Sequence, residues 1–360
     1  MINVTKTYLP DKRKYQSYVD KIFDSGWITN NGSLVNELER ELCKFLNVEH
    51  LVLVSNGTLA LQIAYKALGL KEEVITTPFS FVATTSSLVW EHLTPVFADI
   101  NPDTYNIDIQ NVNKKINSKT SAVLPVHVFG NPCEVEELET LCSEHRIKLI
   151  FDAAHAFGVK NKTFNVLHYG DASTLSFHAT KIFHTIEGGA IIFKRKEDYD
   201  IAKLLINFGI SGYDKVDAIG INCKMNEFQA AMGLAVLSEI DEIETHRENV
   251  WMRYYNQFNS LPNLKLQTRN PNFSSNYSYF PVVFKDEETT LRTQRELNEN
   301  DIYPRRYFHP SLNKLKYILD YQSCPISENL VSRILCLPLF DDLETSIQDQ
   351  IIEIVRKNVI

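Results

Sequence analysis

The setting of one lysine is the most informative feature of this chain. Lys181 follows small and hydroxylated residues within the segment 174–190, and a Gly-Gly pair and an apolar run at 190–193 come after it. This setting predicts a partly dry, polar pocket, where loss of water disfavours the ammonium form and keeps the amine nucleophilic near neutral pH. Such amines form imines with carbonyl compounds. Because most lysines are simply solvated, the residues around Lys181 must decide this interpretation.

A carboxylate and a histidine follow another apolar run. Asp152 ends the run 148–151, where a carboxylate is costly unless it is paired. The protonated pyridine nitrogen of pyridoxal phosphate would be a suitable partner, since this ion pair lets the ring absorb electrons from a neighbouring carbanion. His155 could contact the same ring or its phenolic oxygen, and a purely structural histidine is an equally good interpretation.

An anion site is indicated where a strand-like run meets a helix. Gly57 allows close approach of the backbone, the amides at the helix start attract an anion, and Thr58 adds a hydroxyl donor. Asn56 and Thr58 are equally typical of a helix cap without any ligand. Ser176, five residues before the lysine, could face the same anion. Phe81 offers a flat surface for stacking on a ring, although an aromatic residue there is more often part of the core.

The elements that must position these residues alternate between β-branched runs and helical periodicity. This alternation predicts an α/β fold with a mostly parallel central sheet flanked by helices, and such sheets bind ligands at the carboxyl ends of their strands. The helical segments include 58–68, 135–145 and 226–237. The strand-like runs are 51–55, 74–77, 95–98, 121–128, 148–151, 174–177 and 189–193.

A change in the sequence pattern after residue 208 indicates a second domain. A long charged, aromatic helix leads into a polar stretch rich in Pro and Asn, and the apolar run 279–284 follows. We therefore expect a large ligand-binding domain at 1–245 and a smaller C-terminal α/β domain at 246–360.

Bulk properties exclude several classes of function. A net charge of −8 across 360 residues, without a basic run, argues against nucleic-acid binding. We expect no membrane span and no signal segment. The six scattered cysteines predict reduced thiols in a cytoplasmic protein. Ten histidines show no metal-binding spacing, so no metal centre is expected.

Separated motifs resemble one enzyme family. The sequence is similar to the DegT/DnrJ/EryC1/StrS sugar aminotransferases, which are fold-type I pyridoxal phosphate enzymes and generally homodimers with active sites at the subunit interface. The motifs that carry the resemblance occur in the expected order at 26–29, 56–58, 96–105, 152–155, 176–181, 187–189 and 222–226.

The resemblance implies a role for each matching position. Lys181 would be bound to the cofactor, Asp152 would pair with its ring nitrogen, and Asn226 would reach its phosphate from the neighbouring subunit. Some relatives are dehydratases in which histidine replaces the lysine, so the retained Lys181 favours amino transfer. The positions assigned to the cofactor are Asn56, Gly57, Thr58, Phe81, Asp152, His155, Ser176, Lys181 and Asn226.

The implied reaction is a two-step, ping-pong exchange. L-Glutamate would donate the amino group, a nucleotide-linked ketosugar would accept it, and the freed amine of Lys181 would move the proton as general base and acid. The candidate substrate contacts are Trp27, Thr29, Arg306, Tyr307 and His309. Arg306 would meet a diphosphate or a donor carboxylate, although the segment around it could equally be an exposed basic turn.

The lysine segment and the segment 305–310 together resemble the branch of the family that acts at C4 of dTDP-4-keto-6-deoxyglucose. The product would be dTDP-4-amino-4,6-dideoxyglucose, a precursor of O-antigen in lipopolysaccharide. Amination at C3 of a 3-keto isomer and a UDP-linked substrate stay open as alternatives. A non-catalytic regulatory protein on the same fold is a third, although every chemical position is intact.

Overall fold

The computed structural model describes residues 1–359, which form an α/β structure of two lobes. The strands in chain order are β1 (Ile2–Asn3), β2 (Leu51–Val54), β3 (Glu73–Thr76), β4 (Thr94–Phe97), β5 (Thr120–Leu124), β6 (Lys148–Asp152), β7 (Ala172–Ser176), β8 (Gly189–Phe193), β9 (Ile210–Gly212), β10 (Lys215–Val216), β11 (Leu264–Leu266), β12 (Phe280–Phe284), β13 (Ile302–Tyr303) and β14 (Ile334–Leu337). The helices are α1 (Lys12–Ser25), α2 (Ser33–Leu46), α3 (Gly57–Ala67), α4 (Val82–Trp90), α5 (Ile109–Lys115), α6 (Val135–His145), α7 (Lys196–Leu205), α8 (Glu227–Leu237), α9 (Ile240–Phe258), α10 (Glu287–Glu299), α11 (Pro325–Arg333) and α12 (Thr345–Val359).

The large lobe is built on a seven-stranded sheet in the order β2-β8-β7-β6-β5-β3-β4. The strands from β3 to β7 pair in parallel, while β8 runs antiparallel to β7 and β2. The residues of β2 alternate between the faces: Leu51 and Leu53 join one hydrophobic cluster, Val52 and Val54 the other. One cluster includes α2, α6 and α8, and the other includes α3 and α7. Burial on both faces explains why the strands read as continuous apolar runs.

The carboxyl edge of this sheet collects the polar residues. β2 leads through Asn56 into α3, β6 ends at Asp152, and β7 ends at Ser176. Since parallel strands end at the same edge, residues far apart in the sequence meet there.

The small lobe has its own sheet and core. β11, β12 and β14 form an antiparallel sheet, and the apolar sides of α10 and α12 pack close to it around Phe280 and Phe284. A further cluster, which includes Phe79, Phe129, Tyr279 and Phe308, joins the two lobes. The prediction of a large lobe with a mostly parallel sheet and a smaller α/β lobe is confirmed.

Helix α9 runs through the place where we divided the chain. Its residue Ile243 packs in the large lobe and its residue Val250 in the small one, so a division at 245/246 falls inside a continuous helix. Strand β1 pairs with β13, so the first residues of the chain lie against the small lobe. The proposed boundary therefore separates two cores, not two independent stretches of chain.

Within residues 1–359, the helices are too short or too polar for any of them to cross a lipid bilayer.

Candidate active site

Lys181 lies in the loop that joins β7 to the antiparallel strand β8. The base of this loop is closed by the pair Ser176 and Gly189 and by a hydrogen bond of 2.8 Å from the Phe177 N–H to the Gly188 carbonyl. The lysine side chain is half-buried. Loss of water lowers the pKa of Lys181 to about 8, although the nearby charge of Asp152 acts in the opposite direction. The structure thus gives this amine the property that the sequence pattern predicted.

Asp152 is buried at the end of β6, and each of its oxygens accepts one hydrogen bond. Oδ2 accepts from the Thr84 hydroxyl at 2.8 Å, and Oδ1 accepts from the Ala154 N–H at 3.1 Å. Ser80 lies 2.7 Å from Thr84 and donates to it, since the Thr84 proton is directed to Asp152. Burial raises the pKa of Asp152 above its ordinary value. The two hydrogen bonds and the charge of Lys181 lower this pKa, but their effect is smaller than that of burial. A cation beside this carboxylate would remove that cost.

His155 is a neutral, fixed ring. Its Nδ1 accepts the Phe129 N–H at 3.3 Å, and its ring stacks within 7° of the rings of Phe129 and Phe308. Burial and the charge of Lys181 lower the pKa of His155 well below its ordinary value. Because Nδ1 is an acceptor, the proton of the neutral ring is on Nε2, which makes His155 a donor from that atom.

A small cavity between the lobes brings His155 and Lys181 together with two residues of the small lobe. His155 and Lys181 line it from the large lobe, and Ser278 and Tyr279 line it from the small lobe. The Lys181 Nζ lies 6.0 Å from the centroid of the Tyr279 ring, and the Ser278 hydroxyl donates to the His155 carbonyl at 2.9 Å. We did not single out Ser278, Tyr279 or Thr84 from the sequence. For Thr84 a signal existed, because it lies three residues after Phe81 in the same segment.

The start of α3 has the geometry of an anion site. The Asn56 side chain caps the helix by accepting the Leu59 N–H at 2.9 Å, as the cap interpretation predicted. The amides of Gly57 and Thr58 have no hydrogen-bond acceptor among residues 1–359. A Cβ atom at Gly57 would lie 2.8 Å from the Cβ atom of Ser176. Gly57 therefore allows the end of β7 to lie against two free amides.

Phe81 precedes α4 and is 54% exposed, so the interpretation as a core residue was wrong. Thr84 in the first turn of that helix bonds Asp152, which places the start of α4 next to the carboxylate. Stacking of Phe81 on the ring of a cofactor stays a prediction.

Asn226 lies at the start of α8, beside the 27–32 segment. Its side chain accepts the Gln229 N–H at 3.0 Å in a capping box, and its Nδ2 atom has no acceptor within the described chain, residues 1–359. The next residue, Glu227, is buried, and its carboxylate accepts the N–H groups of Leu34 at 2.8 Å and Val35 at 3.0 Å. Glu227 thus fixes the start of α2 to the start of α8, a contact that we missed.

The predicted substrate residues of the N-terminal segment lie on the same surface. The Glu227 N–H donates to the Ile28 carbonyl at 3.1 Å. Trp27 is 55% exposed, and Thr29 is exposed beside it. The structure therefore brings Trp27, Thr29 and Asn226 together, although they are far apart in the sequence.

Two residues of the segment 305–309, Arg306 and Tyr307, have different surroundings. Arg306 donates to the Glu287 carboxylate at 2.7 Å and to the Ser332 carbonyl at 3.0 Å, and the charges of Arg306 and Glu287 both act on His309. Tyr307 packs edge-on against Tyr279, with the ring centroids 5.7 Å apart, and Tyr279 lines the cavity. The structure thus brings Tyr307 towards Lys181. The Nη2 atom of Arg306 is already bonded within the small lobe, and its Nε is buried without a partner among residues 1–359.

Comparisons with known proteins show which family this chain resembles as a whole. The model of the DegT/DnrJ/EryC1/StrS aminotransferase family matches residues 10–356. A dTDP-4-amino-4,6-dideoxy-D-glucose transaminase of Shigella dysenteriae is 39% identical over 361 residues, 99% of this chain and 98% of that protein. The Escherichia coli protein of the same name is 40% identical over 96% of this chain and 95% of its own. The crystal structure of DesI in the presence of its TDP-sugar product superposes with a TM-score of 0.93 at 32% identity, covering 99% of this chain and 92% of that one.

Proposed function

The chain belongs to the DegT/DnrJ/EryC1/StrS aminotransferase family, and from this premise we propose that it transfers the amino group of L-glutamate to C4 of dTDP-4-keto-6-deoxyglucose. It is a pyridoxal phosphate-dependent enzyme. The observation that carries the reaction type is the half-buried Lys181 with a pKa of about 8 beside Asp152 and His155. The sugar is supported by the two relatives at 39% and 40% identity, whose names specify a dTDP-linked 4-amino sugar.

The residues present fit the cofactor on three counts. The free amides of Gly57 and Thr58 and the adjoining Ser176 suit a phosphate group. The buried carboxylate of Asp152, with its raised pKa, forms no ion pair within residues 1–359, and a protonated ring nitrogen would supply one. Lys181 has a lowered pKa and lines the small cavity that His155 also lines.

The chemistry is divided between cofactor and protein. When bound, pyridoxal phosphate supplies an aldehyde that accepts amino groups and a ring that withdraws electrons. Asp152 would keep the ring nitrogen protonated, and Thr84 holds Asp152 in place. His155, whose Nδ1 accepts the Phe129 N–H, has its Nε2 hydrogen left to donate and would offer it to the bound cofactor. Lys181 takes up and returns the migrating proton at Nζ, and a pKa of about 8 suits both directions near neutral pH.

The amino donor and the position of the new nitrogen are tested together. Purified enzyme with dTDP-4-keto-6-deoxyglucose and L-glutamate should give dTDP-4-amino-4,6-dideoxyglucose, with the nitrogen located on the sugar ring by NMR. Nitrogen at C3, or turnover only with a UDP-linked sugar, would identify one of the alternatives. Neither these alternatives nor a non-catalytic regulatory role has comparable support among the relatives.

The functional unit is a homodimer in which Asn226 of one subunit completes the other subunit's phosphate site. Two observations support this: the unused Nδ2 of Asn226, and the exposed apolar side chains around the β9–β10 hairpin. A single subunit would leave this apolar surface in water, which is unfavourable. The exposed residues are Phe208, Ile210, Tyr213, Val216, Ile219 and Ile221.

Complementation between two inactive variants tests this arrangement. Asn226→Asp keeps the helix cap but replaces the amide donor by a negative charge, which should repel phosphate. Mixed dimers of Lys181→Ala and Asn226→Asp subunits should contain one intact site each, so about a quarter of the sites are restored. No recovery after unfolding and refolding the mixture would place Asn226 in the site of its own subunit. Light scattering on the wild-type protein measures the dimer directly.

The enzyme acts in the cytoplasm, in a pathway that supplies a precursor of O-antigen. The unpaired state of all six cysteines supports a reducing compartment. Deletion of the gene, followed by analysis of surface polysaccharide for a 4-amino-4,6-dideoxyglucose unit, tests the pathway.

A further inference from the structure

Arg305 is the arginine of the 305–309 segment that has a free guanidinium. Arg306 is tied to Glu287 and to small-lobe carbonyls. Arg305 is exposed, and its side chain forms no hydrogen bond or ion pair with any of residues 1–359. The sequence does not distinguish these adjacent arginines, whereas the structure does.

The backbone of Arg305 is fixed beside the small-lobe sheet. Its N–H donates to the Cys336 carbonyl at 3.1 Å, and the Cys336 N–H donates back at 2.8 Å. This bridge extends the sheet next to β14, so the Arg305 side chain projects from a rigid position. A residue anchored in this way loses little backbone freedom when it binds a ligand.

Two aromatic rings in contact, those of Tyr307 and Tyr279, connect Arg305 to the cavity. The guanidinium carbon lies 5.2 Å from the centroid of the Tyr307 ring, and Tyr307 packs edge-on against Tyr279. Tyr279 in turn lies below the Lys181 amine. The charge of Arg305 also reaches the phenol groups, because it opposes the rise that burial imposes on the pKa of Tyr279 and of Tyr307.

We propose that Arg305 is the anion-binding residue of the substrate site and pairs with a carboxylate or diphosphate of the substrate held at Lys181. This inference rests on the proposed function, since both substrates of that reaction are anions. A guanidinium presents a fork of donors that matches carboxylate and phosphate oxygens, and here the ring of Tyr307 lies against it while its donors stay exposed. The donor dicarboxylate and the sugar diphosphate are two sources of the same chemistry.

Calorimetric titration of the cofactor-loaded enzyme separates these sources. The probes are dTDP, which carries the diphosphate without the 4-keto-6-deoxyhexose, and glutarate, which carries the two carboxylates without the amine. The variants are Arg305→Ala and Arg305→Lys. The matched control is Arg295→Ala, which removes an equal charge from an exposed position on α10 of the same lobe.

Arg305→Ala should weaken the binding of one probe by about 10- to 100-fold, as expected for the loss of a charge-assisted, forked contact. Arg305→Lys should retain part of the affinity, because it keeps the charge but not the fork. A loss confined to dTDP identifies the diphosphate, and a loss confined to glutarate identifies the donor carboxylate. If Arg305→Ala binds both probes as tightly as Arg295→Ala does, the proposal is overturned.

The binding assay is independent of turnover, so the two proposals can fail separately. Formation of the C4-aminated sugar by an enzyme whose binding is insensitive to Arg305 would leave the function standing and remove this role. Arg305-dependent binding of a probe without formation of that product would retain the anion site and remove the proposed reaction.

Discussion

Thr84 donates a hydrogen bond of 2.8 Å to the buried carboxylate of Asp152. Thr84 lies in the first turn of α4 and Asp152 is the last residue of β6, and the two meet because the start of α4 and the end of β6 lie at the same edge of the sheet. Ser80 stabilises the arrangement by donating to Thr84. The position of the carboxylate that would pair with the cofactor is therefore set by a hydroxyl on a neighbouring helix.

Removal of that hydroxyl should reduce catalysis without unfolding the protein. Thr84→Val deletes a contact that lowers the pKa of Asp152, so this pKa should rise further and kcat should fall by about 10-fold, the value of one buried hydrogen bond. The pH profile of kcat and the pH dependence of cofactor absorbance are the measurements. Thr84→Ser should restore both. Thr85→Val is the control, because the Thr85 hydroxyl is buried without a partner among residues 1–359. Equal behaviour of the two valine variants would contradict the role of Thr84.

Lys181→Ala should lower kcat by at least about a thousandfold, because it removes both the cofactor attachment and the group that moves the proton. Steady-state formation of the amino sugar measures this. Lys194→Ala removes an exposed lysine that pairs with Glu139 and should keep nearly wild-type activity. Comparable turnover by the two variants would show that the wrong lysine has been identified.

Lys181 should destabilise the cofactor-free protein. Its pKa is about 8 in the folded state and near 10.5 when unfolded, so below pH 8 the folded state must hold a charge that the unfolded chain solvates better. Lys181→Met should therefore stabilise the cofactor-free protein at pH 7 by on the order of 2 kcal/mol. This gain should shrink as the pH rises from 8 and vanish above about 10.5. Urea unfolding at pH 7 and above pH 10.5 tests the sign of the change in the free energy of unfolding, and Lys194→Met is the control.

Gly57→Ala should weaken cofactor binding. The added Cβ atom would lie 2.8 Å from that of Ser176, so the end of β7 must move away from the amides at the start of α3. We expect at least about a 10-fold higher dissociation constant for pyridoxal phosphate, since several phosphate contacts are disturbed together. Fluorescence titration of the cofactor-free protein measures it. Gly69 follows the other end of α3, where an added Cβ atom would have no neighbour within 4 Å. Gly69→Ala strains only its own left-handed backbone and is a control in which the affinity should not change.

Arg306→Ala should affect stability more than substrate binding. Arg306 joins Glu287 on α10 to the carbonyls at the end of α11, and its loss leaves those acceptors unpaired. The free energy of unfolding should fall by about 1–3 kcal/mol, while KM for both substrates stays within about threefold. A large rise in KM with unchanged stability would return Arg306 to the substrate site and would leave no need for Arg305 there.

The sequence was sufficient to predict the elements whose apolar residues form a continuous run or repeat at helical spacing. Each of the seven apolar runs singled out in the large lobe corresponds to a strand from β2 to β8, because strands buried on both faces must be continuously apolar. The helix expected at 135–145 is α6, from Val135 to His145. The lysine, the carboxylate and the histidine could be predicted as neighbours, since each follows a strand at the same edge.

Other features depend on tertiary contacts that leave no periodic signal. The β9–β10 hairpin was missed because its apolar residues are exposed and its strands are short. The difference between Arg305 and Arg306 depends on Glu287, and the role of Glu227 depends on the free amides of α2. In each case the deciding partner lies in another part of the chain, so neither propensity nor spacing can reveal it.

Strand β8 reverses direction, and as a result the chain leaves the sheet at Ser176 and re-enters it directly opposite, at Gly189. The intervening residues 177–188 form a loop, here called the tether, whose two ends cannot separate without breaking the sheet. How far the amine of Lys181 extends is thus governed by the length of the tether on either side of it. We conclude that insertions and deletions here should be far less tolerable than substitutions, and that length variants would report on reach independently of side-chain chemistry.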